Sequence, residues 1–439
     1  MSPYWINFLP NTLWARIEHR PNLQKALANM GWLFSDRLLR MGMGLLVGIW
    51  VARYLGPQQY GLLNFSLSIV GLLGSGAGLG LNGIVVRDLV KEMDAADTTL
   101  GTVFLLQLAG GFLAFVLAVG FVNFARADND QAKFIVAVLG FMLVFRATDA
   151  VKYWFASQVK SKYVVWIENG VFLAHVLVRG GLIIVQASLM AFVWAFLAEA
   201  ALTAIGLLVV YAKKVGRLTR WNFRLSRAKS LLAESWPMIL GAIASMINMR
   251  VDQVMLGTML DDSLVGNYSA AVRISEIWLV VPGILGASIF PALIAAKEKN
   301  EVIYRKRILK TTYFMALVIL PVALVVSIFA NQIAHLLYGA QYTDTGLYLA
   351  ILIWSGVPYL VLFVFSQMYY IERLLKMSFY VAVFIIVCNL SLNAVLIPEY
   401  GGTGAAIATL VSAFSSQLLS LALLNAKTGI FWRTAREKE

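Results

Sequence analysis

The sequence predicts an all-α polytopic membrane protein, and three observations carry that prediction. Apolar residues make up 60% of the chain and charged ones only 13%, with a mean hydropathy of +0.76, outside the range of soluble globular domains. The apolar residues fall in runs of about 20 or more, the length an α-helix needs to cross a bilayer. Lysine and arginine alternate in abundance from one connection to the next, as they do in a chain threaded back and forth through a membrane.

The first 31 residues contain Trp5, Trp14, Arg16, Arg20 and Lys25 but no apolar core ending at a small-residue cleavage site. They are expected to form an interfacial cytoplasmic segment and not a secretory signal. The stretch from Leu33 to Leu89 follows as a helical hairpin, two membrane-length runs joined by a short turn at Gly56 and Pro57. Further spans fall at about 101–123, 134–151, 164–185, 189–211, 232–259, 264–295, 312–337, 345–369, 377–397 and 404–425, which with the hairpin gives 12 transmembrane helices. The even-numbered connections and the two termini hold 27 Lys and Arg, whereas the odd-numbered connections hold three, Arg53, Arg126 and Lys133. That asymmetry puts both the N and C termini in the cytoplasm. The net charge of +13 therefore encodes topology and does not point to nucleic acid.

The longest internal connection, Ala212 to Ser230, separates six spans from six. The expected organisation is an N-terminal segment (1–31), an N-lobe (32–211), a basic cytoplasmic linker (212–230), a C-lobe (231–425) and a basic cytoplasmic tail (426–439). YLGPQQYGLLNFSLSI in the first lobe is echoed by TMLDDSLVGNYSAAVRI in the second, each joining the first two helices of its lobe. Six helices return the chain to the same side, so the lobes are expected to be parallel repeats related by a pseudo-two-fold axis along the membrane normal. Gly71, Gly74, Gly76, Gly78, Gly80 and Gly83 crowd the second helix, and Pro282, Pro321 and Pro358 lie inside later spans. Gly78, Gly80 and Gly83 fit G-x-G-x-x-G, but no strand or downstream ribose-binding acid accompanies them. Close helix packing and bending explain them better.

Charge inside the spans identifies the candidate site. Six arginines, Arg37, Arg40, Arg146, Arg179, Arg250 and Arg273, lie within apolar runs. Each at mid-helix costs roughly 2.5 to 3.5 kcal/mol if it faces lipid, so these side chains must face protein or water. Acids enter the spans as well: Asp36, Asp149, Glu168, Glu199, Asp252 and Glu276. Arg146 with Asp149 and Arg273 with Glu276 are i, i+3 pairs, while Glu168, His175 and Arg179 share one helical face. For Arg146 and Arg273, internal pairing and a functional role stand equally open; for Arg179 and Arg250, lining of an aqueous cavity is favoured. Asp36, Arg37 and Arg40 open the first lobe as Arg250 and Asp252 open the second, an arrangement expected to form a cationic cleft between lobes. Arginine's planar fork suits phosphate oxygens bidentately. Glu199 is placed to pair with an arginine or to bind a proton, and His175 to pack beside the arginines.

No catalytic constellation competes with this site. The chain has no phosphate-binding G-x-x-x-x-G-K-[ST] loop, no H-E-x-x-H, no G-x-S-x-G elbow and no paired metal-ligand spacing. The one cysteine, Cys388, cannot support an intrachain disulfide framework or a cysteine metal cluster. Catalytic residues, metal and cofactor are accordingly not expected, and uphill work would come from an ion gradient, the membrane potential or downstream consumption.

ARYLGPQQYGLLNFSLSIV, GLNGIVVRDL, VDQVMLG, VGNYSAAVRISEIW and SIFPAL, in that order and spacing, give the chain a family likeness along nearly its whole length. It resembles the polysaccharide or O-antigen type flippases of the multidrug, oligosaccharidyl-lipid and polysaccharide exporter superfamily. The resemblance implies a bacterial inner-membrane protein, not an enzyme, that moves undecaprenyl-pyrophosphate-linked oligosaccharide between leaflets by alternating access. Its implied partners are that glycan lipid, membrane lipids and the polysaccharide polymerase and export machinery. Arg37, Arg40 and Arg250 would engage the pyrophosphate, Asp36 and Asp252 would orient them, and Arg179, Arg273 and Arg146 would extend the positive path. Glu199 and Glu276 join the acids available for orientation or ion coupling. A lipid II flippase or a cation-coupled multidrug exporter of the same superfamily is the alternative; a membrane glycan polymerase ranks last, since no connection is long enough for a catalytic domain.

Overall fold

Gly56 decides the first feature of the fold. The computed structural model describes residues 21–429, excluding the side chains of 21–30, 33–35, 37, 38, 278–281 and 283–288. Helix α1 (Pro21–Gly74) is two helical arms joined at Gly56, whose φ of 73° and ψ of 169° interrupt the helix. Glycine adopts a positive φ without a Cβ clash, and Pro57 opens the second arm with φ already helical and no donor lost. The hairpin turn therefore falls at the residues that the sequence nominates.

Turns over 75–81 lead to the short α2 (Asn82–Lys91), and α3 (Ala96–Ala125) follows. Helix α4 (Asp130–Gly140) runs through a 3₁₀ segment, Phe141–Thr148, into α5 (Asp149–Ser157), and α6 (Lys162–Ile184) and α7 (Leu189–Lys214) complete the first half. The second half comprises α8 (Leu225–Met259), α9 (Asp262–Ser275), α10 (Val280–Lys299), α11 (Glu301–Ile328), α12 (Ala330–Tyr338), α13 (Thr345–Leu352), α14 (Gly356–Ile371) and α15 (Leu375–Thr428). Polar residues start several of these helices. Asn129 accepts from the Ala132 amide at 2.9 Å, Asp261 from Leu264 at 3.0 Å and Asn300 from Val302 at 2.6 Å, satisfying amides that a helix start leaves open. Helix α15, like α1, is two arms, broken at Gly401 with φ 57°.

No strand occurs among the described residues, and eight helices there are long and apolar enough to cross a membrane. Their outward faces are apolar: Phe124, Leu177 and Ile184 are each more than 70% exposed. Surfaces of that kind are stable against lipid and not against water. The protein is a multi-pass membrane protein built of helices.

The chain divides into two compact units, Met1–Val51 with Ile69–Ile243, and Ala52–Ser68 with Ala244–Glu439. The divisions fall inside helices α1 and α8, not in the connections. In the first unit Leu81, Leu89, Leu100, Trp154, Phe155 and Tyr211 form the centre of a buried cluster. The basic stretch 212–230 packs on this unit. Trp221 Nε1 donates to Tyr211 Oη at 3.1 Å, its ring lies 5.1 Å from that of Tyr211, and the Arg224 amide donates to Thr102 Oγ1 at 3.2 Å.

The second unit has its own core around Leu293, Tyr304, Phe365, Met368 and Tyr369. It also contains the outer part of the α1 hairpin, held by close backbone approach. A Cβ on Gly61 would stand 1.6 Å from the Asp262 carbonyl oxygen, and one on Gly266 would stand 2.0 Å from that of Pro57. Gly61 and Gly266, like Pro57 and Asp262, occupy matching positions in the two echoed segments. The two segments thus pack reciprocally, residue i on j′ and j on i′, as a local two-fold requires.

Candidate functional site

Asp36 and Arg40 stand one helical turn apart on α1, so carboxylate and guanidinium meet on one face. Arg40 Nε donates to Asp36 Oδ1 at 2.8 Å and to Asn169 Oδ1 at 3.2 Å. Arg40 Nη2 lies 3.6 Å from Glu168 Oε2, and its guanidinium carbon is 5.5 Å from the centre of the Phe172 ring. Helix α6 therefore supplies three neighbours to one arginine. Glu168 is shared: its Oε1 lies 2.7 Å from Lys152 Nζ, which is also 2.9 Å from Asp149 Oδ1. Arg146 ends the series, with Nε 3.8 Å from Asp149 Oδ2.

Asp36, Arg40, Glu168, Lys152, Asp149 and Arg146 thus alternate in sign across α1, α6, α5 and the 3₁₀ segment before it, all within the first unit. Three charges of each sign make the set formally neutral, which lowers the cost of holding it among apolar helices. The glycine run makes room for it. Arg146 Nη1 donates at 2.9 Å to the carbonyl of Gly74, where α1 ends, and that carbonyl also accepts from the Ala77 amide at 3.0 Å. A Cβ on Gly78 would stand 3.0 Å from Arg146 Nη2. The Gly78 carbonyl accepts from Gln107 Nε2 at 3.2 Å.

Arg37 lies on α1 but its side chain is outside the described residues. Lys152 and Asn169 are the members that the sequence reading leaves out, and Glu168, counted there among the acids within the spans, was given no role toward Arg40. Lys152 sits at the edge of an apolar span and counts there as a topology signal; its i, i+3 spacing from Asp149, the same spacing that couples Arg146 to Asp149, was the available clue.

Arg179, three turns beyond Glu168 on α6, pairs with Glu199 of α7, Nη2 to Oε2 at 2.5 Å. The Phe196 ring centre lies 4.1 Å from its guanidinium carbon, and His175 Nε2 lies 2.5 Å from the Ala195 carbonyl. Both Arg179 and His175 are buried.

In the second unit, Asp252 of α8 is buried and fully hydrogen-bonded. It accepts from Tyr268 Oη at 2.8 Å, Thr409 Oγ1 at 2.5 Å and Asn393 Nδ2 at 2.6 Å. Asn393 Nδ2 also donates to Asn389 Oδ1 at 3.0 Å, one turn away, while Asn393 Oδ1 is buried without a hydrogen bond. Beside this group lies a cavity of about 130 Å³ lined by Asn248, Asp252, Tyr268, Glu276, Tyr359 and Thr409, among others. Arg250 Nη1 is 3.6 Å from Glu276 Oε1. The acid beside Arg250 is Glu276, and the groups around Asp252 are hydroxyls and amides. Glu276 caps the end of α9 with a helical backbone (φ −73°, ψ −6°), and it feels the charge of Arg273 as well as that of Arg250. Arg273 is solvent-exposed.

A family model described as polysaccharide biosynthesis protein matches residues 50–346. The chain belongs to that family. Every candidate from Arg146 to Glu276 lies within the matched range, as do Lys152 and Glu168, whereas Asp36, Arg37 and Arg40 precede it. Among the relatives, one named probable flippase AglR from Haloferax volcanii is 30% identical over 177 residues, 40% of this chain and 37% of its own length. The match thus spans little more than a third of that relative. A second from the same organism, named probable low-salt glycan biosynthesis flippase Agl15, is 23% identical over 386 residues, covering 87% of this chain and 79% of the relative. The fold is similar to that of an inward-facing multidrug resistance MATE family transporter of the MOP superfamily, at a TM-score of 0.67 and 16% identity, over 90% of this chain and 96% of that one. The family resemblance seen in the sequence motifs is borne out.

Proposed function

We propose that this protein is a flippase that moves undecaprenyl-pyrophosphate-linked oligosaccharide across the bacterial inner membrane by alternating access, for O-antigen, capsule or exopolysaccharide assembly. The observation that carries the proposal is the family match over residues 50–346. Names of the relatives, both probable flippases, support the same class of activity. In this reading the chain makes 12 crossings in two six-helix lobes, with both termini cytoplasmic, and performs no catalysis of its own. Helices α1 and α15, each two arms about a glycine, would each contribute two of those crossings.

Arg37, Arg40 and Arg250 are the proposed pyrophosphate ligands. Asp36 orients Arg40, which the 2.8 Å contact supports, and Glu276 takes the corresponding role for Arg250. Asp252, surrounded by oxygen and amide groups, is the proposed ion-coupling acid. Arg146 and Arg273 extend the positive path, while Arg179 and Glu199 hold α6 to α7. Polymerase and export machinery are the proposed downstream partners.

The test is transfer between leaflets in proteoliposomes. Purified protein is expected to move a fluorescent polyprenyl-pyrophosphate glycan and to leave an organic cation where it was. Cation efflux without lipid transfer would replace this reading with a multidrug exporter. In cells, deletion is expected to leave a lipid-linked glycan intermediate on the cytoplasmic face, identified by mass spectrometry.

A further inference from the structure

We infer that Glu168 is an exchangeable counter-ion that reserves Arg40 and Lys152 for a ligand with more than one negative charge, namely a diphosphate; the inference rests on the flippase reading above. Glu168 stands between the two cations, 2.7 Å from Lys152 Nζ and 3.6 Å from Arg40 Nη2. The second distance is too long for a hydrogen bond, and Arg40 Nη2 is a buried atom with no hydrogen-bond acceptor. Lys152 is therefore well matched by Glu168 while Arg40 keeps an unused donor. The side chains of Arg40 and Lys152 are about one-third exposed, at 33% and 34%, so part of each is open to a ligand while Arg40 Nη2 itself is covered.

Charge balance then decides what the ligand must be. The six-member set is neutral as it stands, and a cation stripped of its carboxylate, or a carboxylate of its cations, is expensive among apolar helices. A membrane protein that presented Arg40 and Lys152 bare would fill with the phosphodiester headgroups of ordinary anionic phospholipids. With Glu168 in place, such a headgroup brings one charge and must evict one charge. It gains little from the exchange and leaves Glu168 without partners. A diphosphate brings two phosphoryl groups, one able to take the Arg40 fork and the other Lys152, and its larger charge offsets the eviction. Asp36, Asn169 and Asp149 keep their contacts to the same cations throughout, so the two side chains stay aimed while Glu168 exchanges.

The experiment measures binding of a fluorescent farnesyl diphosphate to the full chain in nanodiscs, made either of phosphatidylcholine alone or of equal parts phosphatidylcholine and phosphatidylglycerol. For the wild type the affinity is expected to agree within about twofold between the two discs. E168Q, which removes the one carboxylate the two cations share and leaves the set with a net positive charge, is expected to lose about tenfold in the phosphatidylglycerol discs because that lipid now competes. E168D, which keeps the charge, is expected to behave as the wild type, and K152Q to bind the diphosphate about tenfold more weakly in either disc. An E168Q variant as indifferent to phosphatidylglycerol as the wild type overturns the counter-ion role and leaves the flippase reading standing. Wild-type protein that binds the diphosphate in neither disc overturns both. If E168Q does not yield folded protein by size-exclusion chromatography, the wild type decides alone: affinity that stays flat as phosphatidylglycerol rises upholds the inference, and affinity that falls in step with it overturns it.

Discussion

Arg179 is the arginine whose role the structure makes most testable. Its side chain is 11% exposed and that of Glu199 22%, the two meet at 2.5 Å, and Phe196 covers the guanidinium face. Replacing Arg179 with Met keeps most of the volume but strands Glu199, and removing one member of a buried pair costs about 3–5 kcal/mol. Because Glu199 retains some water, the lower end applies, about 3 kcal/mol for R179M. E199Q preserves an acceptor amide and is expected to cost about 2 kcal/mol. In R179M/E199Q no charge is left unmatched, and the double variant is expected within about 1 kcal/mol of the wild type, a coupling of several kcal/mol. The assay is denaturant unfolding in detergent micelles followed by circular dichroism, run beside lipid transfer in proteoliposomes. Single variants as stable as the wild type, or a double variant as unstable as the two singles added, would show that the pair does not hold α6 to α7. A stable double variant that has lost transfer would show instead that Arg179 meets the substrate.

Three further outcomes follow from the same structure. G61A and G266A each drive a Cβ into a backbone carbonyl that cannot rotate away, so each is expected to cost about 1–3 kcal/mol, read by the same unfolding measurement; a neutral G266A would refute the close approach to Pro57. D252N turns one of three accepted hydrogen bonds into a meeting of donors and is expected to destabilise by about 1–3 kcal/mol, whereas T409V, which removes one donor and leaves the carboxylate two others, is expected to cost about half as much. W221A removes the ring that docks the basic stretch on Tyr211, so limited trypsin digestion is expected to cut after Arg217, Arg220 or Arg224 several-fold faster than in the wild type, and unchanged cleavage would refute the docking.

Much of the candidate site was legible because arginine is so costly in a lipid-facing position that its presence in an apolar run is informative by itself. Asp36 with Arg40 and Arg146 with Asp149 were visible as helical spacings and are in contact. Glu276 follows the last residue of α9 and feels the charge of Arg273 at that same spacing, but its closer partner, Arg250 of α8, was not visible in local spacing. Lys152 escaped for a different reason. A lysine at the end of an apolar run has two uses, topology and pairing, and the Glu168 carboxylate brought up from α6 distinguishes them.

Hydropathy and charge determined by themselves that this is a helical multi-pass membrane protein, because a bilayer admits only helices and closed barrels, and continuous apolar runs of about 20 residues suit helices and not the alternating strands of a barrel. Gly56 determined the first turn in the same local way, through a φ that only glycine takes freely. What the tertiary structure decided is which charges meet. The donors around Asp252 come from 16, 141 and 157 residues away, and Glu168 collects Arg40 and Lys152 from two other helices. The tertiary structure also decided where the compact units divide, inside α1 and α8, since that depends on which half of a continuous helix finds the tighter packing and not on any break in its sequence.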